Sequence, residues 1–553
     1  MIGVLSHEGE ANVVGEFFEL FKVPWEFCRG DRQYRVILST RDDFEGRDAK
    51  LSILYNGGMT GYDASAQIDV RPLQTKRATC RYGGCELPLY GQVSELAAPG
   101  CAAKLESSRG ETLAIGMDGN GRKTIRAGFD LFREIRFLLE SGQPAGHARV
   151  PTLDLHIAML RDWILGAGIP LVEVPPVPAG YDFACCLTHD IDFCGIRRHR
   201  LDHTTLGFLY RALWGSLRDA LSGKCRWEKV RRNWKAALSL PAVYAGFVED
   251  FWQPFKSYRE AEKDLRSTFF VIPFREKAGS DGTNREDALR ACRYDIDDVR
   301  MEVPGLLSQG CEIGVHGLDA WRDSASGRRE LERIREATGE SATGIRMHWL
   351  YFGDQSARML EDAGYAYDST AGYNEAVGYR CGTAQAFRPV GLEALLELPL
   401  IVQDTALFYP GRMGLTEEGA WPLILELLGH AKKHGGALTL NWHDRSLAPE
   451  RLWGDFYAGL LRVLRNSGAW IDTASRAVRW FAKRRTVSFD GVSFSQGKVS
   501  LRVRSEKDES VPGLVVRVHT PENDRAAGPG PAAPQKKYLD VAFSNVLNAE
   551  FPI

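Results

Sequence analysis

The chain has 553 residues, 44% hydrophobic and 26% charged, with 70 Lys plus Arg against 72 Asp plus Glu, a net charge of −2. That balance excludes disorder, collagen and coiled coil as overall descriptions, and it excludes a globally basic nucleic-acid binder. The length corresponds to about three or four domains, and no run reaches the ~18–20 apolar residues of a membrane span.

In chain order, residues 1–150 read as an α/β accessory domain. YRVILST (34–40) and KLSILYN (50–56) have strand character, and ETLAIGMD and KTIRAG form a strand pair around a turn at Asp118-Gly119-Asn120-Gly121. FDLFREIRFLLESG (129–142) is amphipathic at helical spacing with a Gly stop. The opening MIGVLSHEGEANVV has no basic region followed by an apolar one, so no secretory signal is expected. The 11 cysteines are scattered and odd in number, which points to a reducing cytosol, and the close pair Cys80 and Cys85 has no second pair at zinc-finger spacing. Residues 151–180 read as a helix and a Pro-rich linker, since VEVPPVPAG can continue neither a helix nor a central strand.

From 181 to about 484, short apolar runs alternate with helical stretches: FACCLTHD, STFFVIPF, CEIGVHG, TGIRMHW, LLELPLIV, GALTLNWHD and AWIDT. Such alternation predicts parallel strands in an α/β barrel or doubly wound sheet. Residues 485–553 are strand-like (TVSFDG, KVSLRVRS, GLVVRVHT, YLDVAFS), with a loose stretch ENDRAAGPGPAAPQKK, and read as a small β-rich accessory unit.

The polar residues of the middle region fall at predicted strand ends. Asp190 and Asp192 close the first run, His316 the third, His348 the fourth, and His443 the run ALTLNWHD. In a parallel barrel those ends share one face, where active sites assemble. A carboxylate and imidazoles can hold zinc or a similar divalent ion with a position left for water. A second carboxylate can take a proton and a separate His can give one to a leaving nitrogen. No G-x-S-x-G or Walker-type loop supports a serine esterase or a nucleotide enzyme.

THDID, STFFV, EIGVHG, GIRMHWLYF, GYRCGT and LNWHD stand in the order of the polysaccharide deacetylase (NodB-homology) superfamily, carbohydrate esterase family 4 and its relatives. The resemblance covers about residues 180–450 and is closest to longer bacterial members with an N-terminal α/β extension. It implies a distorted (β/α) barrel of about seven strands and metal-dependent removal of N-acetyl groups from a glycan. By the same resemblance Asp190 is the general base, Asp192 and His316 bind a divalent metal, expected to be zinc, and His443 is the general acid. Asp404 would orient His443, and Arg380 in GYRCGT would position Asp190. The family's second His, four residues after the first, is here Ala320, so His348 is the candidate third ligand. His189, next to Asp190, should face the other side of its strand. Loss of that second His leaves two other readings: a silent glycan-binding protein, and a metal-independent hydrolase of a linear or cyclic amide.

Between the first two barrel strands, about 196–262, a helical insertion is expected at the active-site mouth. Leu206, Leu209, Tyr210, Leu213, Trp214, Leu217 and Leu221 recur at helical spacing. Residues 196–235 hold 11 Lys/Arg and 3 Asp/Glu, a local net of 11 − 3 = +8, which includes Arg197, Arg198 and Arg200. That pattern suits either a helix packed on the barrel with its basic side in water, or a surface lying on the inner membrane or gripping a lipid-linked carrier. The expected location is cytoplasmic or peripheral at that membrane face.

Overall fold

The computed structural model describes residues 1–44, 48–74, 78–119, 121–279, 291–495, 497–521 and 538–552. The expected turn residue Asn120 and the stretch 522–537 lie outside them. Two units emerge: Met1–Gly180 with Tyr379–Gly391 and Arg479–Ile553, and Tyr181–Gly378 with Leu392–Val478.

The first unit has a seven-stranded sheet in the order Trp25–Phe27, Ile2–Leu5, Val36–Ser39, Leu51–Tyr55, Arg122–Ala127, Thr112–Gly119, Ala102–Glu106. The first five strands pair in parallel and the last two join antiparallel. The amphipathic segment forms the helix Leu131–Glu140, whose N-cap Asp130 accepts from the Arg133 amide. The Pro-rich stretch yields a short strand, Leu171–Glu173, that ends before Pro175 and pairs with Leu514–His519. Arg479–Ile553 thus groups with Met1–Gly180 by contact, while its strands fall in two separate three-stranded sheets.

The second unit is built around Phe183–Ile191, nine residues all buried, as expected of a strand covered on both faces. The sheet runs Leu396–Glu397, Tyr367–Asp368, Gly344–Met347, Glu312–Gly317, Thr268–Val271, Phe183–Ile191, Ala437–Asn441, Val402–Gln403, and Ala469–Asp472 also pairs with Phe183–Ile191. All these pairings are parallel. Seven inter-strand steps in a flat sheet would set its two edges about 34 Å apart. Yet the edge strands 396–397 and 402–403 are consecutive in the chain, and their link spans at most ~18 Å. The sheet must curl round on itself, which is the distorted barrel that strand–helix alternation predicts. All strands run one way, so their C-terminal ends converge on one face.

Between Phe183–Ile191 and Thr268–Val271 the chain forms a helical run, 203–221, that passes through a π turn at Arg211–Gly215, then the helices Trp227–Tyr244 and Pro254–Glu262. Among the described residues no helix is long and apolar enough to cross a membrane.

Candidate active site

Alternation along Phe183–Ile191 sends Thr188 and Asp190 to one side and His189 to the other. His189 is fully buried away from the cluster, stacked 3.7 Å from the Tyr258 ring, with Nε2 2.9 Å from Glu262 Oε1. It has a structural role.

Asp190 is held by two neighbours. Arg346 Nη1 donates to its Oδ1 at 3.0 Å and Asn441 Nδ2 to its Oδ2 at 2.7 Å, while the Asp190 amide donates to Asn441 Oδ1 at 3.2 Å. Burial alone would raise this carboxyl's pKa, but Arg346, His316 and His443 hold it below its ordinary value. Arg346 is wholly buried and also donates to Thr188 Oγ1 at 2.7 Å and to Ser369 O and Oγ at 2.9 Å each. The guanidinium on Asp190 is thus Arg346. Arg380, which the resemblance places there, lies in the Tyr379–Gly391 segment of the first unit, where its carbonyl accepts from the Gln143 amide at 2.7 Å.

Asp192, one step past the strand, meets two imidazoles. Its Oδ1 is 3.1 Å from His316 Nε2 and 3.5 Å from His348 Nε2, and the three ligand atoms lie within 4.8 Å of one another. His316 comes from the strand Glu312–Gly317, and His348 directly follows Gly344–Met347. The Nδ1–H of His316 donates to the Arg346 carbonyl at 3.0 Å, which turns Nε2 toward Asp192. Burial pushes His348 down to about 4, so it is neutral and can ligate. Its Nδ1 is buried with no hydrogen-bond partner among the described residues. One carboxylate, two imidazoles and room for water fit a divalent ion of the zinc type.

His348 is followed by Trp349 and Leu350 at φ 59° and 55°, the left-handed region that costs non-glycine residues about 1–3 kcal/mol each. Asn374 Nδ2 donates to the Trp349 carbonyl at 2.9 Å and helps hold this turn. Ala320 is wholly buried, and a Cβ added to Gly327 would come within 3.1 Å of its own Cβ. The position of the family's second His is therefore filled by close helix packing.

Across the cluster, His443 Nδ1 lies 2.6 Å from Asp404 Oδ1. Asp404 also accepts from the His443 amide at 2.8 Å, from the Thr405 amide at 2.5 Å, and from Ser446 Oγ. Burial works against the imidazolium, but Asp404, with Asp192 and Asp190, outweighs it and raises the His443 pKa. A carboxylate held toward its ionised form and an imidazole held toward its protonated form thus flank the Asp192–His316–His348 cluster.

These residues line one cavity of about 490 Å³, walled also by Phe193, Trp349, Tyr409, Arg211, Arg412 and Arg451. Sequence reading missed Arg346 and Asn441. Their signal was spacing: each stands two residues before a His already singled out, close to the C-terminal end of its strand.

No family model matches the chain, and no curated protein does. Several solved structures are similar in part. A probable polysaccharide deacetylase from Pseudomonas aeruginosa PAO1 is 13% identical, covering 55% of this chain and 93% of the other, at a TM-score of 0.34. A GH57 branching enzyme from Thermococcus kodakaraensis is 9% identical, covering 54% of this chain and 71% of the other, at 0.32. A CE4 family pseudoenzyme from Bacillus anthracis is 11% identical, covering 42% and 62%, at 0.24.

Proposed function

We propose that the chain is a hydrolase that removes N-acetyl groups from a carbohydrate, with a divalent ion, zinc by its donor set, held by Asp192, His316 and His348. The observation that carries this reading is the placement of Asp190, held toward its ionised form, and His443, held toward its protonated form, in one cavity with that cluster. When bound, such an ion supplies Lewis acidity at the amide carbonyl and lowers the pKa of water. Asp190 takes a proton from water as the water oxygen bonds to the carbonyl carbon. His443 Nε2 gives its proton to the sugar nitrogen as the C–N bond breaks, which releases acetate and a free amine. Asp404 keeps His443 in the protonated, correctly turned form, and Arg346 and Asn441 keep Asp190 ionised and aimed. Trp349 and Tyr409 offer aromatic faces for the apolar sides of sugar rings.

The reading is tested by acetate release from N-acetylhexosamine oligomers, with metal content measured on the same protein. Release that is abolished by a chelator and restored by Zn²⁺ is expected. Release that persists without metal would favour the metal-independent amide hydrolase, and glycan binding without release would favour the silent binder.

A further inference from the structure

Exposed apolar side chains are normal when scattered singly and informative when gathered. Here they gather. Among the described residues, ten of the twenty large apolar side chains that stand exposed lie between Leu201 and Val248.

They fall in two stripes. On the helical run 203–221 the inner face, Thr205, Phe208, Ala212 and Ser216, is buried, with Phe208 against Phe251 and Trp252. The outer face carries Leu206, Tyr210, Trp214 and Leu221, with Trp214 69% exposed. On the next helix, Val230, Asn233, Ala237 and Leu240 are buried, and Trp227, Trp234 and Leu238 point out, with Leu238 80% exposed. The indole N–H of Trp234 donates to the Leu213 carbonyl at 3.2 Å, which sets the two stripes side by side. The single apolar face expected from sequence is therefore divided, and its core is already satisfied from within.

The rim of these stripes is basic: Arg218, Lys224, Arg226, Arg231, Arg232 and Lys235 are all exposed, against the acids Glu228 and Asp219, the latter 3.6 Å from Arg218. Aromatic and leucine side chains on a face edged by Lys and Arg are the composition of helices that lie in a lipid headgroup layer. A soluble protein partner would need acid on its rim and apolar cover for the tryptophans. An anionic bilayer supplies both at once, without a spanning helix. The same helical run also walls the cavity through His203, Thr204 and Arg211, and Arg211 adjoins Tyr210 in sequence.

We propose that the helices 203–221 and 227–244 dock on an anionic bilayer, with Tyr210, Trp214, Trp227 and Trp234 in the headgroup boundary and the basic rim on lipid phosphates. Docked so, the mouth of the cavity faces the membrane, and the substrate is a glycan presented on a lipid carrier. The choice of carrier rests on the deacetylase reading; the docking itself does not, because it is read without turnover.

The test is sedimentation of the full chain with vesicles of phosphatidylcholine alone and of phosphatidylcholine with phosphatidylglycerol, at low and high salt. Binding to the anionic vesicles at low salt, weakened by salt, is expected. Trp214→Ser with Leu238→Ser should abolish it, and Arg231→Glu with Arg232→Glu should weaken it at least about tenfold. All four side chains are exposed, so circular dichroism should be unchanged in both variants. No sedimentation of wild type at low salt, or equal sedimentation of the variants, overturns the proposal. So does light scattering that shows a wild-type dimer converted to monomer by Trp214→Ser with Leu238→Ser, without vesicle binding, since the face would then be a self-association surface. Vesicle binding without acetate release would leave the docking and remove the deacetylase; acetate release without vesicle binding would do the reverse.

Discussion

The His443–Asp404 pair fixes how activity should depend on pH. The folded pKa of His443 is raised above its ordinary 6.5, so the stabilisation from the pair is present below 6.5 and lost as pH rises through the raised value. The basic limb of kcat/KM should lie above 6.5, and in Asp404→Asn, where only Asp192 and Asp190 still oppose burial, it should move down. Asp190 behaves in the opposite sense. Arg346 helps keep it ionised below its ordinary 3.8, so Arg346→Gln should shift the acid limb upward while Asp190 remains in place. A merely structural role for Arg346 would lower expression without moving that limb. Asp190→Asn and His443→Ala should each cut turnover by about 10²–10⁴-fold with metal content unchanged, as read by acetate release and elemental analysis.

Metal ligands, orienting groups and packing meet at the level of strands and helices, and here sequence legibility was uneven. Long apolar runs such as FACCLTHD announced their strands, and the polar residue at each end announced the site. The edge strands Leu396–Glu397 and Val402–Gln403 are two residues each, too short for any period to appear, though they form the two edges of the curled sheet. Arg346 was legible by its spacing from His348, but a guanidinium at a strand interior reads first as an error in the strand. Arg380 is placed on Asp190 by the resemblance of GYRCGT alone, and a short motif says nothing of which unit its segment joins. The absent second His has a physical account in the helix Ser324–Thr338, since Gly327 packs where Ala320 leaves no room for a ring. Ala320→His should therefore lower stability by about 1–3 kcal/mol through overpacking, without raising bound metal above the wild-type stoichiometry. A chemical melt and elemental analysis check both. A gain of metal affinity with no loss of stability would show that the helix can yield and that the alanine is not fixed by packing.

At the scale of the whole chain, the first unit is assembled from segments hundreds of residues apart, which no local period in the sequence can reveal. Its joint is Arg484, wholly buried near the end of the helix Ala474–Arg485. Its guanidinium donates to the carbonyls of Glu19 at 3.0 Å, Leu20 at 3.0 Å and Val174 at 2.8 Å. Burial lowers its pKa to about 10, so it remains charged at neutral pH. Beside it, Arg485 pairs with Glu16 at 2.7 Å, and the Val174 amide donates to the Lys22 carbonyl at 2.9 Å. Residues 1–22, 171–174 and 479–485 are thus one hydrogen-bonded structure, and a chain begun near Leu153 would keep Val174 but lose Glu19 and Leu20 from Arg484 and Glu16 from Arg485. Arg484→Met keeps the bulk but leaves three buried carbonyls unpaired. Hydrogen bonds to a charged group contribute roughly 1.5–3 kcal/mol each and are not additive, so a loss of at least about 3 kcal/mol is expected. None of the Asp192, His316 and His348 ligands belongs to this unit. Limited proteolysis of Arg484→Met should therefore release fragments from 1–180 and 479–553 first, while residues 181–378 with 392–478 resist longer and keep their metal. Simultaneous loss of metal and of both units would show that the two fold as one cooperative block.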